Sequence, residues 1–187
     1  MIWAAICRPY DTYCRGLMEK VLVIGNCGSG KTTLAVKLSE KLRLPLVHLD
    51  RLWWYGSWQQ RTREEFDLLL DAELQKEKWI IDGNFSRTLP RRLEYCDTVI
   101  WLDLPVLVCL WGATKRVFQH HGKSRPDMGG DCPEHFDSRK IELYKAIIGF
   151  NKRNKQEYEK LLKAADVKVY RLKSRRQIKA FLKQASL

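Results

Sequence analysis

The sequence has no CxxC pair, no internal repeat, no low-complexity tract and no apolar run near the roughly 18 residues that a membrane-spanning helix needs. Its cysteines, Cys7, Cys14, Cys27, Cys96, Cys109 and Cys132, are scattered along the chain. That spread fits no disulfide framework and predicts reduced thiols in a reducing compartment. The apolar opening stretch MIWAAIC has no basic residues before it and is shorter than a secretory signal. Together these absences predict a soluble, cytoplasmic protein with no membrane partner. What remains is 187 residues at 45% hydrophobic content, enough for one compact domain with a real core.

The net charge of +12 is unevenly spread. Up to Ser138 the chain carries 19 Lys and Arg against 18 Asp and Glu; from Arg139 onward it carries 15 against 4. A basic C-terminal quarter suits anionic partners such as nucleotide phosphates, nucleic acid or acidic surfaces, and it equally suits a solvated helix face.

Residues 1–17 show no period and read as an N-terminal extension, with Met18 leading directly into the strand VLVI. From there strands and helices alternate. The expected order is a strand at 21–24, a helix over 31–42, a strand at 46–49 ending at Asp50, and a helix opened by the capping box Thr62 to Glu65, with Phe66, Leu69, Leu70 and Leu74 inward. Strands at 79–81 and 98–102 lead to Asp82 and Asp103, and Pro105 suits the first turn of a helix that is apolar nearly all round. Gly122, Pro126, Gly129, Gly130 and Pro133 mark residues 119–137 as a loop or lid. A long helix over 138–165, bent near Gly149, precedes a strand at 167–172 and a last helix opened by Ser174 and Gln177. Alternation of this kind predicts an α/β fold: a central parallel sheet of about five strands between helical layers, with ligands at the carboxyl edge of the strands.

The segment Gly25, Asn26, Cys27, Gly28, Ser29, Gly30, Lys31, Thr32 fits GxxxxGK[ST] in full, between an apolar strand and a helix. Glycines there let backbone N–H groups close on phosphate oxygens, and the helix N-terminus, including Thr33, adds partial positive charge. This predicts ATP bound with Mg2+, Lys31 on the β and γ phosphates and the Thr32 hydroxyl on the metal. Strand-terminal carboxylates would sit close by. Asp82 is the metal-side candidate, Asp50 the acceptor-side candidate, and Asp103 a turn cap. Arg116 and Arg125 are candidates for neutralising the transferred phosphoryl group, with Arg125 in the lid. Arg87, Arg91 and Arg92 form a further cluster that is either phosphate-binding or solvated surface charge. Trp53, Trp54, Tyr55 and Trp58 either stack on a ligand or pack beneath a mobile segment. His120, His121, Cys132 and His135 have a spacing that could hold zinc, although no paired CxxC supports it.

With its order of P-loop, Leu49–Asp50 and nearby Trp, WIIDGN at 79–84, DTVIWLDLP at 97–105 and GKSRPDM at 122–128, the chain from Met18 onward resembles the topology modulation (FlaR-type) proteins, relatives of adenylate kinase. The resemblance implies an adenylate-kinase-like three-layer P-loop kinase domain over 18–187, an acceptor-binding segment over 53–74, a lid over 119–137 and a loop over 173–176, with Lys173, near the adenine. Adenylate kinases carry DGFPR after the third strand. Here DGNFSR is one residue longer, which argues against AMP as acceptor. The function expected is transfer of the ATP γ-phosphoryl group to a small nucleoside- or nucleotide-type acceptor. The alternative is a nucleic-acid-associated ATPase or regulator using the basic quarter, although no recognition-helix or RNP motif is present.

Overall fold

The computed structural model describes residues 18–185, so the expected extension at 1–17 lies outside the described residues. Five strands form one parallel sheet in the order β2-β3-β1-β4-β5: β1 (Lys20–Gly25), β2 (Leu46–His48), β3 (Trp79–Asp82), β4 (Thr98–Leu102) and β5 (Lys168–Leu172). Successive strand side chains point to opposite faces, so a strand covered on both sides reads as one apolar run. In β1, Val21 and Val23 enter one core with Ile80, Ile100 and Leu102. Leu22 and Ile24 enter the other with Trp79, Ile81, Val99 and Trp101.

The helices are α1 (Lys31–Leu42), α2 (Leu49–Trp53), α3 (Arg63–Leu74), α4 (Leu89–Leu93), α5 (Val106–Gln119), α6 (Ser138–Phe150), α7 (Gln156–Ala164) and α8 (Arg175–Gln184). α1, α5, α6 and α8 pack on the first core, and α3, α4 and α7 on the second. The Thr62 capping box is present in both directions. At α8 the Ser174 hydroxyl accepts from Gln177 N–H, while the Gln177 side chain accepts from Lys173 N–H rather than closing on Ser174. The long helix over 138–165 is α6 and α7 joined by a π turn, Asn151–Lys155. It follows Gly149, against which the Arg153 guanidinium folds while donating to the Ala146 carbonyl at 3.1 Å.

Two expectations need correction. Leu69 does not face inward but is exposed, because α3 buries only the stripe Phe66, Leu70 and Leu74. β2 stops at His48, and Asp50 does not end a strand but lies in the first turn of α2. The chain turns there because the Leu49 side chain is fully buried beneath Gly83, where any Cβ would meet it at 2.8 Å.

Candidate functional site

Between β1 and α1 the chain turns through Gly28 and Gly30, both at positive φ (74° and 91°), a region glycine enters without a Cβ clash. Gly30 caps α1 without a side-chain hydrogen bond, leaving the first helical N–H groups free for an anion. The loop is fixed from several sides. Gly25 N–H donates to Asn84 Oδ1 at 3.0 Å. Asn26 is buried; its Nδ2 donates to the Ile147 carbonyl at 2.9 Å and its Oδ1 accepts from Cys27 N–H at 2.8 Å. Arg175 Nη1 donates to the Ser29 carbonyl at 2.7 Å, and Lys31 Nζ to the Asn26 carbonyl at 3.0 Å. Gly28 lies directly against Gly112 of α5, two backbones in contact with no side chain between them. Thr33 is exposed at the start of α1.

Thr32 and Asp82 meet, the hydroxyl donating to Asp82 Oδ2 at 2.7 Å. His48 Nδ1 lies 3.2 Å from the same oxygen, and Asp127 Oδ2 is 3.5 Å from the Thr32 hydroxyl. Asp82 Oδ1 and the Ser29 hydroxyl are buried with no hydrogen-bond partner among the described residues. An orphaned carboxylate oxygen beside a threonine hydroxyl at a P-loop is the hard oxygen donor set that Mg2+ takes, with phosphate and water completing its shell. Asp82→Asn is expected to raise the Mg2+ concentration giving half-maximal activity about tenfold or more, with the melting temperature of the nucleotide-free protein little changed. A magnesium titration of the variant checks it.

Arg125 and Arg116 are brought together in a buried ionic cluster. Arg125 Nη1 pairs with Asp127 at 2.6 Å and its Nε with Glu134 at 3.0 Å. Arg116 Nε lies 3.8 Å from Glu134 and its Nη1 3.6 Å from Cys27 Sγ, which joins the cluster to the P-loop. Lys140 also pairs with Glu134. Burial pushes the Glu134 carboxyl up, but the Lys140 hydrogen bond and the charges of Arg116 and Arg125 outweigh it and hold the group below its ordinary value. Three cations thus surround two carboxylates at the edge of the P-loop.

Asp50 is half-buried in the same cleft and within the fields of Arg125, Asp82, Lys31 and Asp127. Burial, reinforced by the neighbouring carboxylates, raises its pKa against the opposing pull of Arg125 and Lys31. Asp103 is engaged structurally, paired with Arg171 at 2.7 Å and Lys155 at 3.2 Å. Lys173 lines a cavity of about 280 Å3 with Asp103, Leu104, Pro105, Asn151 and Lys155, while Arg175, two residues on, makes the contact with the P-loop.

The second arginine cluster binds the protein itself. Arg87 forks onto Asp67 at 2.6 and 2.8 Å, and Arg91 holds Asp71 at 2.6 Å. Arg92 is fully buried and donates to the carbonyls of Gly83, Asn84 and Phe85, and burial pulls its guanidinium down to about 10. Trp53 packs edge-on to Phe66 and Phe85, with centroids 5.6 and 5.8 Å away, and Trp54 packs on Trp58. Segment 120–137 is clasped to this region: Ser57 N–H donates to the Asp131 carbonyl at 2.6 Å and Trp58 Nε1 to the Pro133 carbonyl at 3.1 Å. Among the described residues no group of three or more His, Cys, Asp or Glu is placed for a metal. His121 and His135 meet edge to face with centroids 5.5 Å apart, and the buried Cys132 thiol donates instead to the Gly129 carbonyl.

Asp127, Glu134, His48, Asn84, Gly112 and Arg175 are site residues that the sequence reading did not single out. Asp127 lies within the GKSRPDM segment and Arg175 within the 173–176 loop, so both had a local signal. Glu134 and Gly112 had none.

A parallel sheet with β1 central, a P-loop after it and a segment folded over the strand ends can be compared with solved structures. A shikimate kinase from Acinetobacter baumannii, solved in complex with shikimate, superposes with a TM-score of 0.57 at 12% identity, covering 89% of this chain and 90% of that one. A shikimate kinase from Bacteroides thetaiotaomicron does so with a TM-score of 0.52 at 19% identity, covering 89% and 95%. The fold is that of the shikimate-kinase-like P-loop proteins. No protein-family model and no curated protein matches the chain, so the FlaR-type resemblance rests on the sequence segments that carry it.

Proposed function

We propose that the protein is a kinase that moves the γ-phosphoryl group of Mg-ATP to a hydroxyl of a small acceptor. The observation that carries this reading is the convergence of Lys31, Thr32, Asp82, Asp50 and Arg125 on one edge of the sheet, with Asp50 within the fields of both Lys31 and Arg125. ATP would lie in the P-loop with Lys31 on its β and γ phosphates. The Thr32 hydroxyl and the Asp82 carboxylate would hold Mg2+, which when bound neutralises the phosphate oxygens. Asp50 accepts the proton of the attacking hydroxyl as the oxygen–phosphorus bond forms and ADP departs. Arg125 and Arg116 offset charge on the transferred group. Segment 120–137 serves as a lid that excludes water and so favours transfer over hydrolysis.

The neighbour solved with shikimate supports a small hydroxyl-bearing acceptor. With Arg87, Arg91 and Arg92 all engaged within the protein, and with the half-buried rings of Trp53 and Phe85 beside the buried Phe66, the acceptor we assign to the 53–74 segment is a ring-bearing one of the nucleoside type.

A panel of nucleosides, nucleotides and cyclic polyols, followed by ADP release with Lys31→Ala as the blank, tests the proposal. ADP formation that no acceptor accelerates, with only basal hydrolysis persisting, would refute it. With an acceptor in hand, Asp50→Asn is expected to lower kcat about a hundredfold or more, while Mg-ATP still raises the melting temperature. A base must be ionised to act, and burial raises the Asp50 pKa. The wild-type rate should therefore fall on acidification at a pH above the ordinary aspartate range, and the variant should lose that acid limb.

A further inference from the structure

Neither the nucleotide site nor the acceptor segment uses the apolar side chains left in solvent on α5 and α6. Among the described residues, six of the ten large hydrophobic side chains that are exposed lie here: Leu107, Trp111 and Phe118 on α5, Ile141 and Ile148 on α6, and Phe136 just before α6. Their exposures run from 52% for Phe136 to 78% for Leu107. They form one surface. Phe118, near the end of α5, meets Phe136 with centroids 5.0 Å apart, and Thr114, earlier in α5, bonds Tyr144, later in α6, at 3.1 Å. The two helices therefore run antiparallel. Counted from the Thr114–Tyr144 contact, both apolar stripes rotate in the same sense, which in an antiparallel pair brings them to the same side.

We propose that this two-helix face rests on a lipid surface bearing anionic headgroups. Charge selects that occupant. α5 contains no acidic residue and α6 only Glu142, which pairs with Lys145 at 3.1 Å, whereas exposed Lys115 and Lys152 flank the apolar stripes. From Arg139 to Lys155, across α6 and the π turn, the chain carries 6 Lys and Arg against Glu142 alone. A second copy on this face would set these lysines against their own images, at a net charge of +12 per chain, whereas anionic headgroups complement them. Trp and Phe on a helix face with lysines alongside match the pattern by which a helix lies in the interface plane. Among the described residues no helix is long and apolar enough to cross a membrane, so the contact is superficial.

The test is co-sedimentation of the full chain with phosphatidylcholine vesicles, with and without phosphatidylserine, across a salt series. Binding is expected to be at least about tenfold tighter when phosphatidylserine is present and to weaken as salt rises. The double variant Leu107→Glu, Trp111→Glu should lose about tenfold or more of that binding. Leu68→Glu, which changes an equally exposed leucine on α3, should bind as the wild type does. Both variants should keep the wild-type melting temperature within a few degrees. Failure to bind either vesicle, equal loss in the Leu68 control, or a dimer in sedimentation equilibrium that the double variant dissociates would overturn the proposal.

Discussion

Replacing Lys31 by alanine is expected to lower kcat about a thousandfold or more, a loss of about 4 kcal/mol of transition-state stabilisation. The ammonium group does nothing that folding needs: among the described residues its one hydrogen bond runs to the Asn26 carbonyl at 3.0 Å, inside the loop it would leave to reach a phosphate. Removing it should therefore change the melting temperature of the free protein by no more than a few degrees. The shift produced by Mg-ATP should shrink in the same variant, because the polyphosphate loses its nearest fixed cation. Arg116 and Arg125 cannot take its place inside the loop, since their ties to Glu134 and, for Arg125, to Asp127 hold them beside the 120–137 segment. Two measurements decide it: single-turnover ADP formation, and thermal unfolding with and without Mg-ATP. A variant that retains wild-type turnover would move the phosphate site elsewhere in the molecule.

What could be read in the chain beforehand follows from how local the signals are. The strand VLVI, the P-loop and α1 are contiguous, and each imposes its own pattern: a doubly buried run, fixed glycines, then Leu34 and Leu38 one turn apart. Such signals survive without knowledge of the fold. The meeting of Thr32 with Asp82 was legible for a further reason: in a parallel sheet, residues that close β3 must come to the edge where β1 ends. Pairings across long separations were not legible. Arg87 and Arg91 look in sequence like part of a phosphate clamp, yet each finds an aspartate twenty residues earlier on α3. Glu134 sits in a stretch with no period, and its role exists only because α5, the 120–137 segment and α6 bring Arg116, Arg125 and Lys140 to one point. Asp50 was read as the end of a strand and instead lies in the first turn of α2. β2 is only three residues long, and the burial of Leu49 under Gly83 ends it before any periodicity is established.

Gly112→Ala separates local preference from tertiary packing most sharply. Within a helix interior, alanine is favoured over glycine by up to about 1 kcal/mol, so local propensity alone predicts a stabilised variant. The packing predicts the reverse. A Cβ at Gly112 would overlap the Gly28 carbonyl oxygen and stand 3.1 Å from its carbon. The loop and helix already touch backbone to backbone, since a Cβ on Gly28 would itself come within 2.7 Å of Ala113 N. Gly28 also holds φ at 74°, and its flanks are pinned by the Asn26 and Arg175 bonds. Relief must come from moving α5 off the P-loop. That would draw Arg116 away from Cys27 and open Cys109 and Ala113, both now fully buried. Overpacking of this kind costs roughly 1–3 kcal/mol, and here the strained atoms are backbone, so the upper end applies. For a chain of this size that corresponds to a fall of about 5–10 °C in melting temperature. The same displacement should abolish the thermal shift with Mg-ATP, since the amides that wrap the phosphates would no longer be held. Calorimetry of the variant with and without nucleotide reads both effects at once. A melting temperature above wild type with nucleotide binding intact would mean that α5 does not buttress the P-loop through Gly112.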